Sequence, residues 1–85
     1  MGDSINTKTI NTREDFILFL QGFKDSLSRH PEEWENVKLP DFLGAMAAYT
    51  KDIQGYYDNI HQSLDANRAS WRVFADILMG AKIYE

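Results

Sequence analysis

With 85 residues, 13 acidic against nine basic side chains and 44% apolar content, the chain has the balance of one ordinary folded domain and not of a disordered segment. The lack of cysteine excludes a disulfide framework and a thiolate metal site, and no run of 18 apolar residues offers a membrane span. A core of this size leaves little room for a deep pocket and is worth only several kcal/mol of stability.

Residues 1–10 are polar and without periodicity, so they are expected as a flexible segment ahead of a single helical domain over 11–85, although Ile5 and Ile10 have apolar side chains to offer it. The opening stretch has neither the basic nor the apolar region of a signal peptide, which points to the cytoplasm. Asn11 or Thr12 can cap a first helix, with Glu14 three residues after Asn11 as a capping box prefers. Phe16, Phe19, Leu20, Phe23 and Leu27 then recur at steps of three and four on one side of that helix. Leu18 points away from them. His30-Pro31 ends the pattern near Ser28 or Arg29, because proline disfavours a helical conformation in the residue before it.

Pro31-Glu32-Glu33-Trp34 reads as one connecting helical turn, with proline at its first position and acids beside free amides. Trp34 is expected to fold over the domain as a lid. Leu39-Pro40-Asp41 opens a second helix over roughly 40–58, carrying Phe42, Met46, Tyr49, Ile53 and Tyr56 on one stripe. The polar stretch from Asn59 to Ala69 reads as a loop. Ser70 caps a third helix from Trp71 to about Ile83, apolar on two sides: Trp71, Ala75 and Leu78 on one, Val73, Ile77 and Tyr84 on the other. Only Arg72 and Asp76 remain as a narrow polar strip, so this helix is expected at the centre, between the other two. Gly22, Gly44, Gly55 and Gly80 all fall inside predicted helices, where each costs about 1 kcal/mol against alanine; close helix approach or a kink near Gly55 would account for them. The fold class is all-α: a compact three-helix bundle with a short extra helical turn between helices one and two.

Charge is unevenly placed. Residues 31–65 hold seven acids and two bases, a local −5 against −4 for the whole chain. Such a surface repels phosphate backbones, which argues against nucleic acid as a partner, and nothing argues for a membrane. His30, at a helix end before proline, reads as a cap, and Asp58 with His61 offers two ligands where zinc normally takes at least three from protein. The chain has no glycine-rich phosphate loop, HExxH or GxSxG, and Glu32, Glu33 and Glu35 sit beside no nucleophile or base. No catalysis, metal or cofactor is expected. Adjacent Tyr56 and Tyr57 point 100° apart, so one of them should lie at the margin of the core, with Asp52 and Asp58 close in sequence. The expected partner surface is therefore Tyr56, Tyr57, Asp52 and Asp58, with Glu32, Glu33 and Trp34 as a second choice.

The segments Pro31-Glu32-Glu33-Trp34-Glu35-Asn36, Ala45-Met46-Ala47-Ala48-Tyr49-Thr50, Gly55-Tyr56-Tyr57, Ser70-Trp71 and Ala81-Lys82-Ile83-Tyr84-Glu85 together resemble a family of small bacterial proteins of unknown function. That resemblance covers about residues 10–85 and implies a single-domain protein without an assigned activity. In architecture the chain is also similar to the immunity proteins that inhibit nuclease bacteriocins, which are acidic, helical and carry a Tyr-Tyr pair beside acids; there a proline follows the pair, whereas Asp58 does here. The reading that results is a non-catalytic module binding another protein, with a basic toxin as one form of that partner. A monomer is expected, and a homodimer through the second apolar side of helix three is the rival.

Overall fold

The computed structural model describes residues 6–84. Three α-helices follow one another: α1 (Arg13–Arg29), α2 (Leu39–Asn59) and α3 (Trp71–Ile83), with a 3-10 turn at Thr7–Thr9 and another at Pro31–Glu33 between α1 and α2. This is the all-α three-helix bundle expected. Among the described residues no helix is long and apolar enough to cross a membrane.

The capping box at the start of α1 sits one residue later than its sequence pattern indicated. Thr12 Oγ1 accepts from the Asp15 amide at 3.0 Å, and the Asp15 carboxylate accepts from the amides of Asn11 and Thr12 at 3.1 and 3.2 Å. The bond from Asn11 N–H is the main reason the Asp15 carboxyl lies below its ordinary range; partial burial opposes it. Aspartate reaches back over three residues as glutamate does, which is why Asn11–Glu14 was a plausible but wrong register. At the other end of the chain Ser70 Oγ accepts from Val73 N–H at 3.1 Å and starts α3 where expected.

α3 lies between α1 and α2 and serves two apolar clusters. Ala75 is fully buried with Phe19, Phe23, Trp34 and Ile10, against which Phe16, Phe42, Trp71 and Leu78 pack. Val73 is buried on the other side with Ile53 and Tyr57, joined by Tyr49 and Ile77. Residues from both apolar sides of α3 are thus used within the chain, while Phe74 and Ile83 stay exposed. Each fully buried Phe or Ile contributes about 1.5–3 kcal/mol.

The first cluster is built on rings in sequence along α1 and across to α2. Phe16, Phe19 and Phe23 follow at centroid separations of 5.8 and 5.2 Å, and Trp34 lies tilted against Phe23 at 4.5 Å and stacks on Phe42 at 5.9 Å. Trp34 is the expected lid: its Nε1–H donates to Ser26 Oγ at 3.3 Å, and the Lys82 ammonium lies 5.6 Å from its ring centre. The segment after it clamps the end of α3. The Asn36 side-chain amide donates to the carbonyls of Ala81 and Tyr84 at 2.9 and 2.7 Å, and the amides of Glu35 and Asn36 donate to that of Lys82. These bonds satisfy carbonyls that a helix C-terminus otherwise leaves open.

The second half of the polar stretch over 1–10 carries a 3-10 turn and one core residue. Asn6 Oδ1 caps the Thr7–Thr9 turn, and Ile10 is 4% exposed in the first cluster, because one buried isoleucine outweighs the polarity of its neighbours. Ile5 lies outside the described residues. Leu18 is exposed.

Of the helical glycines only Gly80 answers to close approach: a Cβ there would overlap the Tyr49 ring. Gly22, Gly44 and Gly55 face open space, and α2 runs unbroken through Gly55.

Candidate functional site

The two adjacent tyrosines near the end of α2 have opposite fates. Tyr57 is completely buried and Tyr56 is 43% exposed. Tyr57 does not belong to any accessible surface, which corrects its assignment to a partner site. Its hydroxyl donates to Asp76 Oδ2 at 2.6 Å in the α2–α3 interface, and Arg72 Nε faces the same oxygen at 3.5 Å as an ion pair one helical turn away. The Arg72 guanidinium also lies 5.9 Å from the Tyr57 ring centre and donates to Gln62 Oε1 at 3.4 Å. The polar strip of Arg72 and Asp76 read from the sequence is real, but it turns inward to meet Tyr57 and not outward to water.

Burial is the largest cause pushing the Tyr57 hydroxyl above its ordinary range, followed by its bond to Asp76 and that group's negative charge, with Arg72 opposing. Tyr49 is pushed up to about 12, again chiefly by burial and then by Tyr56, Asp76 and Tyr84. Both phenols are therefore held neutral. A neutral tyrosine donating to a buried carboxylate ties two helices together; it offers no base to a substrate.

Tyr56 belongs to an aromatic group at the surface. Its ring centre is 6.3 Å from Tyr49 and 5.7 Å from Tyr57, and Tyr84 meets Tyr49 edge-on at 5.2 Å. Tyr84 O–H donates to Asp52, and that bond is the main cause holding the Tyr84 hydroxyl above its ordinary range. Asp52 precedes Tyr56 by four residues and shares its helical face. Asp58 follows Tyr56 by only two and falls on another side of α2, where it accepts from the Gln54 side chain at 3.1 Å. The structure thus unites Tyr56 with Asp52, and adds Tyr49 and Tyr84, which the sequence reading had not placed there. A Tyr84–Asp52 bond spanning 32 residues leaves no local pattern.

Gln54 has a further role. Its amide nitrogen donates to the Leu64 carbonyl at 2.9 Å and its oxygen accepts from Ala66 N–H at 2.7 Å, fastening the loop after α2. His61 sits in the turn that ends the helix, at φ 58°.

The second-choice group is divided as well. Glu32 and Glu33 are exposed, but Trp34 is 8% exposed and forms core, so it offers no accessible anchor. His30 Nδ1 lies 3.4 Å from Glu32 Oε2, and His30, Glu32 and Glu33 can bring one ligand atom each within 4.8 Å of one another. All three are exposed, and the start of a short helical turn accounts for their acids through its free amides.

Two open clefts were not legible beforehand. One of about 580 Å³ runs past Lys8, Leu64, Trp71 and Phe74, and its guanidinium, Arg72, is already engaged by Asp76. Another, of about 400 Å³, separates α1 from the start of α2 and is floored by Phe23, Trp34 and Phe42.

No curated protein and no solved structure matches the chain. The segments through which it resembles small uncharacterised proteins now have structural duties: Trp34 and Asn36 close over the end of α3, Tyr49 packs on Gly80, Tyr57 bonds Asp76, and Ser70 caps α3. A family model described as Family of unknown function (DUF7660) matches residues 12–85, and the chain belongs to that family.

Proposed function

We propose that the chain is a non-catalytic module that binds another protein through the outer face of α2, with Tyr56 as its anchor and Asp52 beside it. The supporting observation is Tyr56 itself: a large amphipathic ring, 43% exposed, held between Tyr49 and Tyr57 so that little side-chain entropy remains to be lost on binding. The excess of acids over residues 31–65 favours a basic partner surface and speeds its arrival. Inhibition of a basic toxin is one form such binding would take.

The test is affinity capture from the native host with the wild-type chain, repeated with Tyr56→Ala and Asp52→Asn. Tyr56→Ala should weaken the captured partner by about tenfold or more while the circular dichroism of the chain stays unchanged. Tyr57→Ala is unsuitable for this purpose, since it would empty the core. Undiminished capture by a folded Tyr56→Ala chain rules this surface out.

A further inference from the structure

We propose that the cleft between the Thr7–Thr9 turn, the loop after α2 and the start of α3 binds a small organic carboxylate with a flat apolar body. This site is separate from the Tyr56 face and takes a ligand of the opposite charge to the partner expected there.

Arg72 sets the polar end. Its side chain lines the cleft and is only 17% exposed. A guanidinium has several N–H donors, and this one makes a single long hydrogen bond with the described residues, from Nη2 to Gln62 Oε1 at 3.4 Å. Nε is buried and faces Asp76 Oδ2 at 3.5 Å without a hydrogen bond, while that oxygen accepts from Tyr57 O–H at 2.6 Å. The ion pair therefore holds the guanidinium in place and leaves most of its donors unspent, a costly state for a group so far withdrawn from water. A carboxylate in the cleft meets that demand through the two-pronged pairing that arginine favours.

The rest of the lining is largely apolar. Ile10, Leu64, Trp71 and Phe74 contribute to it, and the Trp71 and Phe74 rings stand edge-on with centres 5.8 Å apart. A flat ring can pack on either of them by face or by edge. The volume of about 580 Å³ is that of a small-molecule cleft.

The surrounding charge has the matching sign. Lys8 and Arg72 line the cleft and no acid does. Within three positions of a lining residue stand also Arg13 and Arg68 on one side of the balance and Glu14, Asp65 and Asp76 on the other. Arg13 and Glu14 cancel as an ion pair at 3.8 Å, the Asp65 carboxylate accepts from Asn67 N–H within its own turn, and Asp76 is held by Tyr57 and Arg72. A positive charge is left over, although the chain as a whole carries −4, and it selects an anion.

The experiment titrates the full chain with naphthoate, naphthamide and inorganic phosphate and follows the backbone by NMR. Naphthoate should shift Lys8, Ile10, Leu64, Trp71 and Phe74 and bind at least about tenfold more tightly than the uncharged amide or than phosphate, which has no apolar body. Lys8→Gln, at an exposed position, should weaken naphthoate and leave naphthamide unchanged. Arg72→Lys keeps the charge and loses the planar fork, so it should weaken naphthoate further; if that variant does not fold, Lys8→Gln decides. Tyr56→Ala should bind naphthoate as the wild type does, so this inference and the reading of the α2 face can fail separately. Equal affinity for naphthoate and naphthamide, phosphate bound as tightly as naphthoate, shifts confined to other surfaces, no shift at millimolar ligand, or unchanged affinity in a folded Lys8→Gln chain would each overturn the proposal.

Discussion

Tyr57 O–H donates to Asp76 Oδ2 over 2.6 Å across the α2–α3 interface, with Asp76 only 7% exposed and Arg72 as its neighbour one turn back. The bond places the chain's one deeply buried carboxylate among described residues between a phenol and a guanidinium, and it fixes the rotation of α2 against α3. Tyr57→Phe keeps the ring and deletes the donor. Because the carboxylate it served stays buried, the loss should be about 1–3 kcal/mol by urea denaturation with an unchanged slope. Tyr56→Phe, at the surface, should stay within about 0.5 kcal/mol.

Burial of two α2 phenols, with the Asp76 bond adding to it at Tyr57, makes the fold sensitive to alkaline pH. Tyr57 and Tyr49 both have folded-state values above the unfolded value of 10, so the native state holds their protons longer than the unfolded chain does. Their contribution is fully present below pH 10 and is lost as pH rises from there, through about 12 for Tyr49 and beyond it for Tyr57. Denaturation midpoints measured across that window should fall steadily in the wild type. Tyr57→Phe should start less stable and lose less, and a wild-type midpoint independent of pH there would show that these phenols ionise as freely in the folded chain as in the unfolded one.

What the sequence could and could not disclose follows from the range of each interaction. Ser70, Thr12 and Pro31 act on amides within four residues, so the helix starts and the connecting turn were readable, with an error of one residue where Asn11–Glu14 and Thr12–Asp15 compete as boxes. The double stripe of α3 foretold its central place because periodicity reports how many sides are covered. It does not report what covers them. Arg72 and Asp76 looked like a solvent strip since their partner, Tyr57, lies 19 residues from Asp76 on another helix. The same gap hid which tyrosine of the pair would be buried, and with it half of the expected site. Asn36 was missed because a single amide side chain has no period to be detected by.

Gly80 and Gly55 should respond oppositely to alanine. Removing glycine from a helix interior gains about 1 kcal/mol where the new methyl meets nothing, as at Gly55. At Gly80 the methyl would overlap the Tyr49 ring, which is itself held by Tyr56 and Tyr84, and overpacking of that kind costs about 1–3 kcal/mol. Thermal unfolding of the two variants side by side should place Gly55→Ala above the wild type and Gly80→Ala below it. Combining Gly80→Ala with Tyr49→Leu should recover part of the loss, since the smaller side chain frees the space.

His61 ends α2 in a conformation that suits glycine. Its amide donates to the Asp58 carbonyl at 3.2 Å, the next amide, of Gln62, donates to the Tyr57 carbonyl at 2.9 Å, and its own φ is 58°. These are the two bonds of a Schellman motif, in which the residue just past the helix takes a left-handed conformation. For a residue with a Cβ that conformation costs about 1–2 kcal/mol, part of which glycine gives back through the greater freedom of its unfolded chain. His61→Gly should therefore stabilise the protein by up to about 1 kcal/mol, and His61→Val, with a branched Cβ, should destabilise it. Hydrogen exchange at Gln62 would report the change locally, slower in the glycine variant and faster in the valine one. A His61→Gly chain less stable than the wild type would mean that the imidazole contributes an interaction outweighing the strain of its backbone.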